Sequence, residues 1–151
     1  MGATSLYGAN QILRCYFSKA SEPPPSFYLA LCRDVAPNPY ISAEELDEPT
    51  PDLGYGRAEV PNDLTTFGDQ SNGQLHLVFN LVDINFLTAT GDWGVMNYWA
   101  LCDAEVGGNV VFFGEFAEME TRQTIATGDQ VQIPAQTLSI EFGPFFFDEN
   151  L

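Results

Sequence analysis

The sequence predicts an all-β protein, an antiparallel β-sandwich or jelly-roll-like domain with one short helix near its N-terminus. Three observations lead to this fold class. Short apolar stretches of strand length recur every eight to twelve residues or so, with turn-forming residues between them. Only one stretch has the spacing of an amphipathic helix. Aromatic residues, which pleated sheets favour, make up 13% of the chain and include twelve Phe. At 151 residues the chain is expected to form a single domain, residues 1–151.

The helical stretch comes first, at residues 6–17, where apolar side chains share one face. These are Leu6, Ala9, Ile12, Leu13, Tyr16 and Phe17. The prolines at 23–25 end it, because proline cannot continue a helix and pushes its predecessor into extended geometry. Residues 26–33, SFYLALCR, then form a buried strand. We expect the helix to pack over an open edge of the sheet.

A long proline- and acid-rich segment at residues 34–53, here called the acidic loop, is expected to be an exposed loop or arm. Residues 54–61, GYGRAEVP, alternate in character as a half-exposed strand should. Tyr55, Arg57 and Glu59 occupy its outward positions.

The second half of the chain consists of strands and turns. A turn signal at 69–74 precedes an apolar run at 75–86. Two strands then flank the turn AEVGGN at 104–109, which predicts a hairpin with aromatic residues on both strands. Its core is predicted to contain Trp93, Trp99, Phe112 and Phe113. Residues 121–142 add at least two shorter strands, around turns at Gly128 and Pro134.

The charge balance excludes two classes of partner. Twenty-one acids against five bases give a formal charge of −16, and the bases are too few and too scattered to bind phosphates. Nucleic acid and anionic membranes are therefore not expected as partners. Acidity of this kind favours solubility and mutual repulsion among many copies. No stretch has the ~18 apolar residues of a membrane span, and no signal peptide is recognisable.

The residues that could carry chemistry do not form a recognisable catalytic or metal site. His76 is the only histidine and lies in a strand pattern with no nucleophile beside it. A hydrolase with paired carboxylates is an alternative, because four acids lie near predicted strands: Asp83, Asp92, Asp103 and Glu115. The acidic loop has no EF-hand pattern, and whether it binds a divalent ion is left open. The three cysteines, Cys15, Cys32 and Cys102, are far apart and expected to be buried thiols. We predict no cofactor and no enzymatic activity.

The order of motifs resembles that of a group of small tailed-phage virion proteins, commonly labelled tail fibre or minor tail proteins. The resemblance rests on FYLALCRD, GYGRAEV, the long TATGDWGVMNYWALCDAEVGGNVVFFGEF stretch and TGDQVQIPAQTLSIEF. It covers roughly residues 6–142, and the spacing from DWG to GGNVVFFG is its most specific element. The sequence departs from the pattern in the acidic loop and at its C-terminal end.

The resemblance implies a non-enzymatic structural protein of a phage virion, made in the host bacterial cytoplasm and displayed on the particle exterior. Because the chain has no shaft repeat, we expect a capsid decoration or cement protein, with a tail fibre or tail-tip module as the alternative. A carbohydrate-binding module is the third hypothesis. The expected partners are the major capsid protein or tail proteins, and further copies of the chain in a homo-oligomer such as a trimer.

The aromatic C-terminal segment, FGPFFFDENL at residues 142–151, is a candidate contact surface. Because the chain has few bases, attachment should rest on apolar and aromatic contacts. Candidate interface residues are Phe145, Phe146 and Phe147, together with Tyr40 and Ile41 of the acidic loop. Two alternatives remain for the segment: a last strand within the protein's own core, or an arm that docks on a neighbouring subunit or on the shell.

Overall fold

The computed structural model describes residues 2–69, 77–116 and 124–141, which contain one α-helix and twelve strands. The helix is α1 (Leu6–Tyr16). The strands are β1 (Gly2–Thr4), β2 (Ser26–Cys32), β3 (Ala58–Pro61), β4 (Phe67–Asp69), β5 (Leu77–Asn80), β6 (Ile84–Thr88), β7 (Gly94–Val95), β8 (Tyr98–Cys102), β9 (Val110–Glu115), β10 (Thr124–Ile125), β11 (Gln130–Ile133) and β12 (Ser139–Glu141).

Eight strands form one sheet, in the order β3-β2-β8-β9-β1-β12-β5-β4. Its neighbouring strands are antiparallel except β1 and β12, which run parallel. Two antiparallel ribbons, β6 with β11 and β7 with β10, complete the strand pairing of the described residues. The predicted fold class, all-β and mostly antiparallel with one short helix, is confirmed. The two layers of the protein differ in size, because two small ribbons pack against one large sheet.

The central strands β2, β8 and β9 are buried on both faces. Trp99 and Leu101 of β8 contribute to the main core, which also contains Ile84 and Ile133 from the ribbon of β6 and β11. The residues that alternate with them face a second, smaller core, formed from Ala30, Cys32, Ala100, Cys102 and Val110 together with part of the acidic loop. A strand covered on both faces needs apolar side chains at successive positions, which explains the near-continuous runs SFYLALC and YWALC.

The predicted hairpin is present, with aromatic residues on both strands. Strand β8 pairs with β9 from Tyr98 opposite Glu115 to Leu101 opposite Phe112, with a register shift before Cys102. Gly107 and Gly108 in the connecting turn both have positive φ, at 64° and 75°, a backbone region that favours glycine. The predicted strands around Gly128 and Pro134 are also present, as β10, β11 and β12.

Two glycines allow the indole of Trp99 to lie close against the backbone of the sheet. Gly114 lies opposite Trp99 in the β8–β9 pair and opposite Gly2 in the β9–β1 pair. A Cβ atom on either glycine would come within 3.0 Å of atoms of the Trp99 ring. The ring therefore extends across β9 and β1, and a side chain at either position would displace it.

Helix α1 begins where β1 ends, and its first turn covers an edge of β9. Ser5 is buried, and its amide donates to the carbonyl of Val111 at 3.0 Å while its hydroxyl contacts the carbonyls of Val110 and Val111. The same hydroxyl accepts from the amide of Gly8 and so caps the helix. A Cβ on Gly8 would collide with the carbonyl of Val111. The helix thus covers the part of β9 that the short strand β1 leaves unpaired.

The apolar run at 75–86 contains two strands, β5 and β6, and residues 70–76 lie outside the described part of the chain. Two expectations about individual segments were wrong in detail. Tyr55 and Arg57 were assigned to an exposed face, but Tyr55 and the guanidinium of Arg57 are buried. The apolar face predicted for α1 does not supply its buried contact, since the one fully buried residue of the helix is Gly8.

We predict that Gly114→Ala lowers the free energy of unfolding by about 1–3 kcal/mol, because the new methyl group overlaps the Trp99 ring. Urea denaturation followed by tryptophan fluorescence measures the change. Gly56→Ala is the control, since a Cβ there would meet only Leu87, at 3.9 Å. Equal stability of the Gly114→Ala protein and the wild type would contradict the assigned packing.

Candidate functional site

The acidic loop is a packed layer of the molecule and not the exposed arm that its composition indicated. Ile41, Ala43 and Leu46 are buried in the second core against β2, β8 and β9. Two single turns of 3-10 helix, at Ala43–Glu45 and Pro51–Leu53, shape the loop. Composition alone misled the prediction because prolines and acids fill its outer positions, while a few spaced apolar residues point inward.

A buried ion pair fixes the middle of this loop to the sheet. Glu48 accepts hydrogen bonds on both carboxylate oxygens from the guanidinium of Arg57, at 2.9 Å each. The side chain of Arg57 is 4% exposed and that of Glu48 is 16% exposed. A bidentate pair of this kind is strong and directional, because two parallel N–H donors meet one planar carboxylate.

The remaining donors of Arg57 tie the loop to the turn of the β8–β9 hairpin. Nη1 donates to the carbonyls of Ala104 at 3.0 Å and Gly107 at 2.8 Å, and Nη2 donates to that of Ala43 at 3.4 Å. All five guanidinium N–H groups are thus used. Burial alone would lower the pKa of Arg57, but the hydrogen bond and charge of Glu48 outweigh it and raise the pKa, so the group stays charged.

Tyr55 extends the network into the main sheet. Its hydroxyl donates to Glu48 at 2.6 Å and accepts from the amide of Leu31 in β2 at 3.1 Å. Burial raises the pKa of Tyr55 far above its usual value, and the neighbouring charge of Glu48 raises it further. The hydroxyl therefore remains a neutral donor, which suits a structural role.

The C-terminal end of the loop is anchored by Trp93. Its indole nitrogen donates to the carbonyl of Leu53 at 2.8 Å, and its ring contacts Tyr55 edge to face with centroids 5.3 Å apart. The amide of Thr90 also donates to that carbonyl, at 2.9 Å. Gly54, with φ of 78°, makes the turn out of the 3-10 helix. Trp93 thus belongs to the loop anchor as well as to the core.

Arg33, which directly precedes the loop, binds its later part at Asp47 and Glu48. Its amide donates to the carbonyl of Asp47 at 2.9 Å and its guanidinium to that of Glu48 at 2.8 Å. The carboxylate of Asp47 lies 3.7 Å from Arg33 and accepts from the amide of Asp34. Because both side chains of this pair are about one-third exposed, the pair positions the backbone more than it stabilises the fold.

The predicted site residues fall into four environments. Trp93 and Trp99 are buried, and Phe112 and Phe113 are half-buried beside the two cores. Ile41 is buried within its own chain, so its side chain is not available to a partner. Tyr40, next to it, is 81% exposed. Phe145, Phe146 and Phe147 lie outside the described residues.

Carboxylates that the sequence left open for catalysis serve as turn acceptors. Asp103 accepts from the amide and side chain of Asn109 across the hairpin turn. Asp92 accepts from the amide of Thr127 at 3.0 Å, and Asp83 accepts from the amide of Ala135 at 2.9 Å. Each joins segments distant in sequence or closes a turn, so these acids have a structural reason for their positions. His76 lies outside the described residues.

Two of the three cysteines are buried as expected. Cys32 and Cys102 are fully buried free thiols in the second core, whereas Cys15 on α1 is partly exposed. Within the described ranges, no group of three or more His, Cys, Asp or Glu residues is placed to hold a metal ion. No helix in that part of the chain has the length and apolar character needed to cross a bilayer.

Comparison with known protein families gives one match over most of the chain. The family is described as podophage GP4 fiber I protein gp80, and its model matches residues 3–141. No curated protein matches the sequence significantly. The matched range includes the acidic loop, the Arg57 network and every described strand except the first residue of β1.

We expect Glu48→Ala to lower the free energy of unfolding by about 3–5 kcal/mol, because it leaves the buried charge of Arg57 unpaired. Urea denaturation measures this change. Glu44→Ala removes the same charge from an exposed position of the same loop and should cost about 0.5 kcal/mol or less. Similar losses in both variants would show that Glu48 does not hold the loop.

Alkaline pH should destabilise the fold, because the buried thiols of Cys32 and Cys102 ionise more easily in the unfolded chain than in the folded protein. Burial raises the pKa of Cys102 to about 12, and burial with the charge of Glu48 raises that of Cys32 further. Since the folded pKa exceeds the unfolded value, the contribution is complete below pH ~9 and is lost as pH rises. We expect the free energy of unfolding to fall by up to ~1.4 kcal/mol per pH unit for each thiol above pH ~9. Urea titrations from neutral pH upward measure it, and a flat profile would contradict the burial.

Proposed function

This chain belongs to the podophage GP4 fiber I protein gp80 family, whose model matches residues 3–141, and we propose that it is a non-enzymatic structural subunit of a phage fibre. The family match is the observation that carries the proposal. The protein would be made in the host bacterial cytoplasm and would occupy the exterior of the virion. The structural use of Glu48, Arg57 and Asp103 supports a scaffold role, since these charged groups are engaged in holding the fold.

The unit is suited to such a role because its largest loop is rigidly attached. The acidic loop is held by Arg33, Arg57 and Trp93 through hydrogen bonds of 2.8–2.9 Å to Asp47, Glu48 and Leu53. Neighbouring subunits of a fibre need contact surfaces of fixed shape. A loop fixed at three places keeps its outer surface in one geometry. Tyr40 and Val35 project from that surface as exposed apolar side chains.

Capsid decoration or cement remains the second candidate. Its support is the formal charge of −16, which suits a protein displayed in many copies facing solvent, and the lack of a shaft repeat in the sequence. The family description favours the fibre. In either location the partners would be other virion proteins, the major capsid protein or tail proteins, and further copies of the chain in a homo-oligomer such as a trimer.

The number of copies in each particle separates the two locations. A fibre subunit should be present in a small multiple of the tail's rotational symmetry, because cyclic assemblies repeat a subunit once per symmetry element. Quantitative mass spectrometry of purified particles, with immunogold labelling for position, measures this. Hundreds of copies spread over the shell would overturn the fibre assignment in favour of decoration.

Tyr40 is the described residue best placed to contact a partner through the acidic loop. We predict that Tyr40→Ser reduces incorporation into particles about tenfold or more, as loss of an exposed aromatic anchor commonly does, while thermal stability is unchanged. Leu64→Ser is the control, since Leu64 is similarly exposed but precedes β4 at the far edge of the sheet. If the Tyr40→Ser protein were incorporated normally, the surface of the acidic loop around Tyr40 would not be part of the interface.

A further inference from the structure

Helix α1 presents an apolar surface that no described residue covers. Leu13 is 55% exposed, Tyr16 85% and Phe17 69%, and Leu6 at the start of the helix is also exposed. Leu6 and Leu13 are seven residues apart, two turns of an α-helix, and Phe17 follows one turn later. These four side chains, here called the α1 face, are exposed apolar groups on and directly after the helix, with exposed Asn10 between Leu6 and Leu13. Several large apolar side chains exposed on one element are typical of a contact surface.

The same end of the helix carries positive charge that the rest of the described chain does not offer. Arg14 lies in the last turn of α1, and Lys19 follows two residues after its cap. Both are exposed and neither forms an ion pair with another described residue. Arg33 and Arg57, the other cations of the described chain, are paired with carboxylates of the acidic loop. The α1 face therefore fits an occupant that is both apolar and acidic.

The turn at Ser18 and Lys19, directly after the helix, is held by a backbone hydrogen bond. Ser18 and Lys19 have positive φ values of 76° and 54°, and the amide of Ala20 donates back to the carbonyl of Arg14 at 2.9 Å. This turn keeps the backbone of Lys19 at the C-terminal end of α1, the end that also carries Arg14.

We propose that the α1 face is the binding site for the aromatic C-terminal segment, residues 142–151, of the same chain. The segment contains Phe142 and the run Phe145 to Phe147, followed directly by Asp148 and Glu149. Aromatic side chains followed by two acids match, in kind and in order, an apolar stripe that ends at two cations. In the proposed contact the phenylalanines would cover Leu13 and Phe17, and the acids would meet Arg14 and Lys19.

The sheet brings this segment to the helix. Strand β12 ends at Glu141 and runs parallel to β1, with Ile140 opposite Gly2. Because the two strands are parallel, the chain leaves β12 in the direction in which β1 leads into α1. Ten extended residues reach about 33 Å, whereas the eleven residues of α1 span about 16 Å. The segment is therefore long enough to follow the whole helix.

Attachment within one chain is favoured over exchange between two copies. A segment tethered beside its site has a high effective concentration, of millimolar order for a short linker. A second copy would also have to approach against the repulsion of two chains that each carry a formal charge of −16. The proposal concerns the isolated protein, and it holds whether the particle uses the chain as a fibre or as a decoration subunit.

Disulfide trapping in the full-length protein tests the proposal. Leu13→Cys is combined in turn with Phe145→Cys, Phe146→Cys or Phe147→Cys, on a Cys15→Ser background that removes the native thiol of α1. Under oxidised glutathione, at least one pair should form an intrachain disulfide in more than half of the molecules, because the two Cα atoms must lie within about 7 Å. Leu64→Cys with the same partners is the control and should remain reduced.

The outcomes are distinct. An intrachain disulfide shows as faster migration of a monomer on non-reducing gels and is independent of protein concentration. Disulfide-linked dimers or trimers that increase with concentration would overturn the proposal and assign the α1 face to a second copy. No disulfide with any of the three partners, or equal trapping with the Leu64→Cys control, would also overturn it.

A charge-reversal variant tests the electrostatic part independently. Arg14→Glu with Lys19→Glu should reduce the rate of intrachain trapping at least fivefold at low salt, and 0.5 M salt should shrink the difference between variant and parent. Glu44→Lys with Glu45→Lys changes as much charge on the acidic loop and should leave the rate unaltered. An unchanged rate in the first variant would show that the cations do not recruit the segment.

Discussion

The bidentate ion pair between Glu48 and Arg57 is the constraint on which much of the remaining structure depends. A buried guanidinium is tolerated only when its charge and all its donors are satisfied, and here one carboxylate and three carbonyls satisfy them. Those acceptors come from the acidic loop and from the β8–β9 turn, which are far apart in sequence. Moving either segment would leave a buried donor without an acceptor, so the pair fixes the loop and the hairpin turn relative to β3.

The fixed loop explains how the central strands β2, β8 and β9 can be buried on both faces in a chain of this size. The ribbons of β6–β11 and β7–β10 supply one cover, and Ile41, Ala43 and Leu46 supply the other. Neither cover is a full sheet. The loop can replace one because the carbonyls of Ala43, Glu48 and Leu53 accept from the side chains of Arg57, Arg33 and Trp93. These bonds reduce the penalty for packing irregular backbone against a core.

Much of the fold was predictable from local pattern, and the failures have physical causes. The turn at 104–109 identified the β8–β9 hairpin, and the apolar spacing predicted the extent of α1 to within one residue. The helix nevertheless ends before the prolines at 23–25, at a turn in which Ser18 and Lys19 have positive φ. The burial of Tyr55 and Arg57 was not predictable from alternation, because it depends on Glu48, whose position is set by the folding of the acidic loop. Likewise, the helical stripe of α1 indicated a buried face, but the helix packs through Gly8, whose missing side chain permits close approach to Val111. Local sequence pattern predicted the type of secondary structure in these segments, whereas tertiary contacts determined which of their side chains are buried.

The ion pairs of the acidic loop also determine how charge is distributed over the surface. Arg33 and Arg57 are both paired with acids of the acidic loop, so most other acids of the loop face solvent and have no ion pair with a described residue. Repulsion among such surfaces disfavours non-specific association of copies, and specific contact must then depend on the few places where apolar groups are exposed. Tyr40 on the loop and the α1 face are two such places, on elements joined by the hydrogen bond from the amide of Leu6 to the carbonyl of Pro39 at 2.9 Å. The backbone that presents Tyr40 is therefore attached to the first residue of α1, so the two exposed apolar places belong to one connected part of the surface.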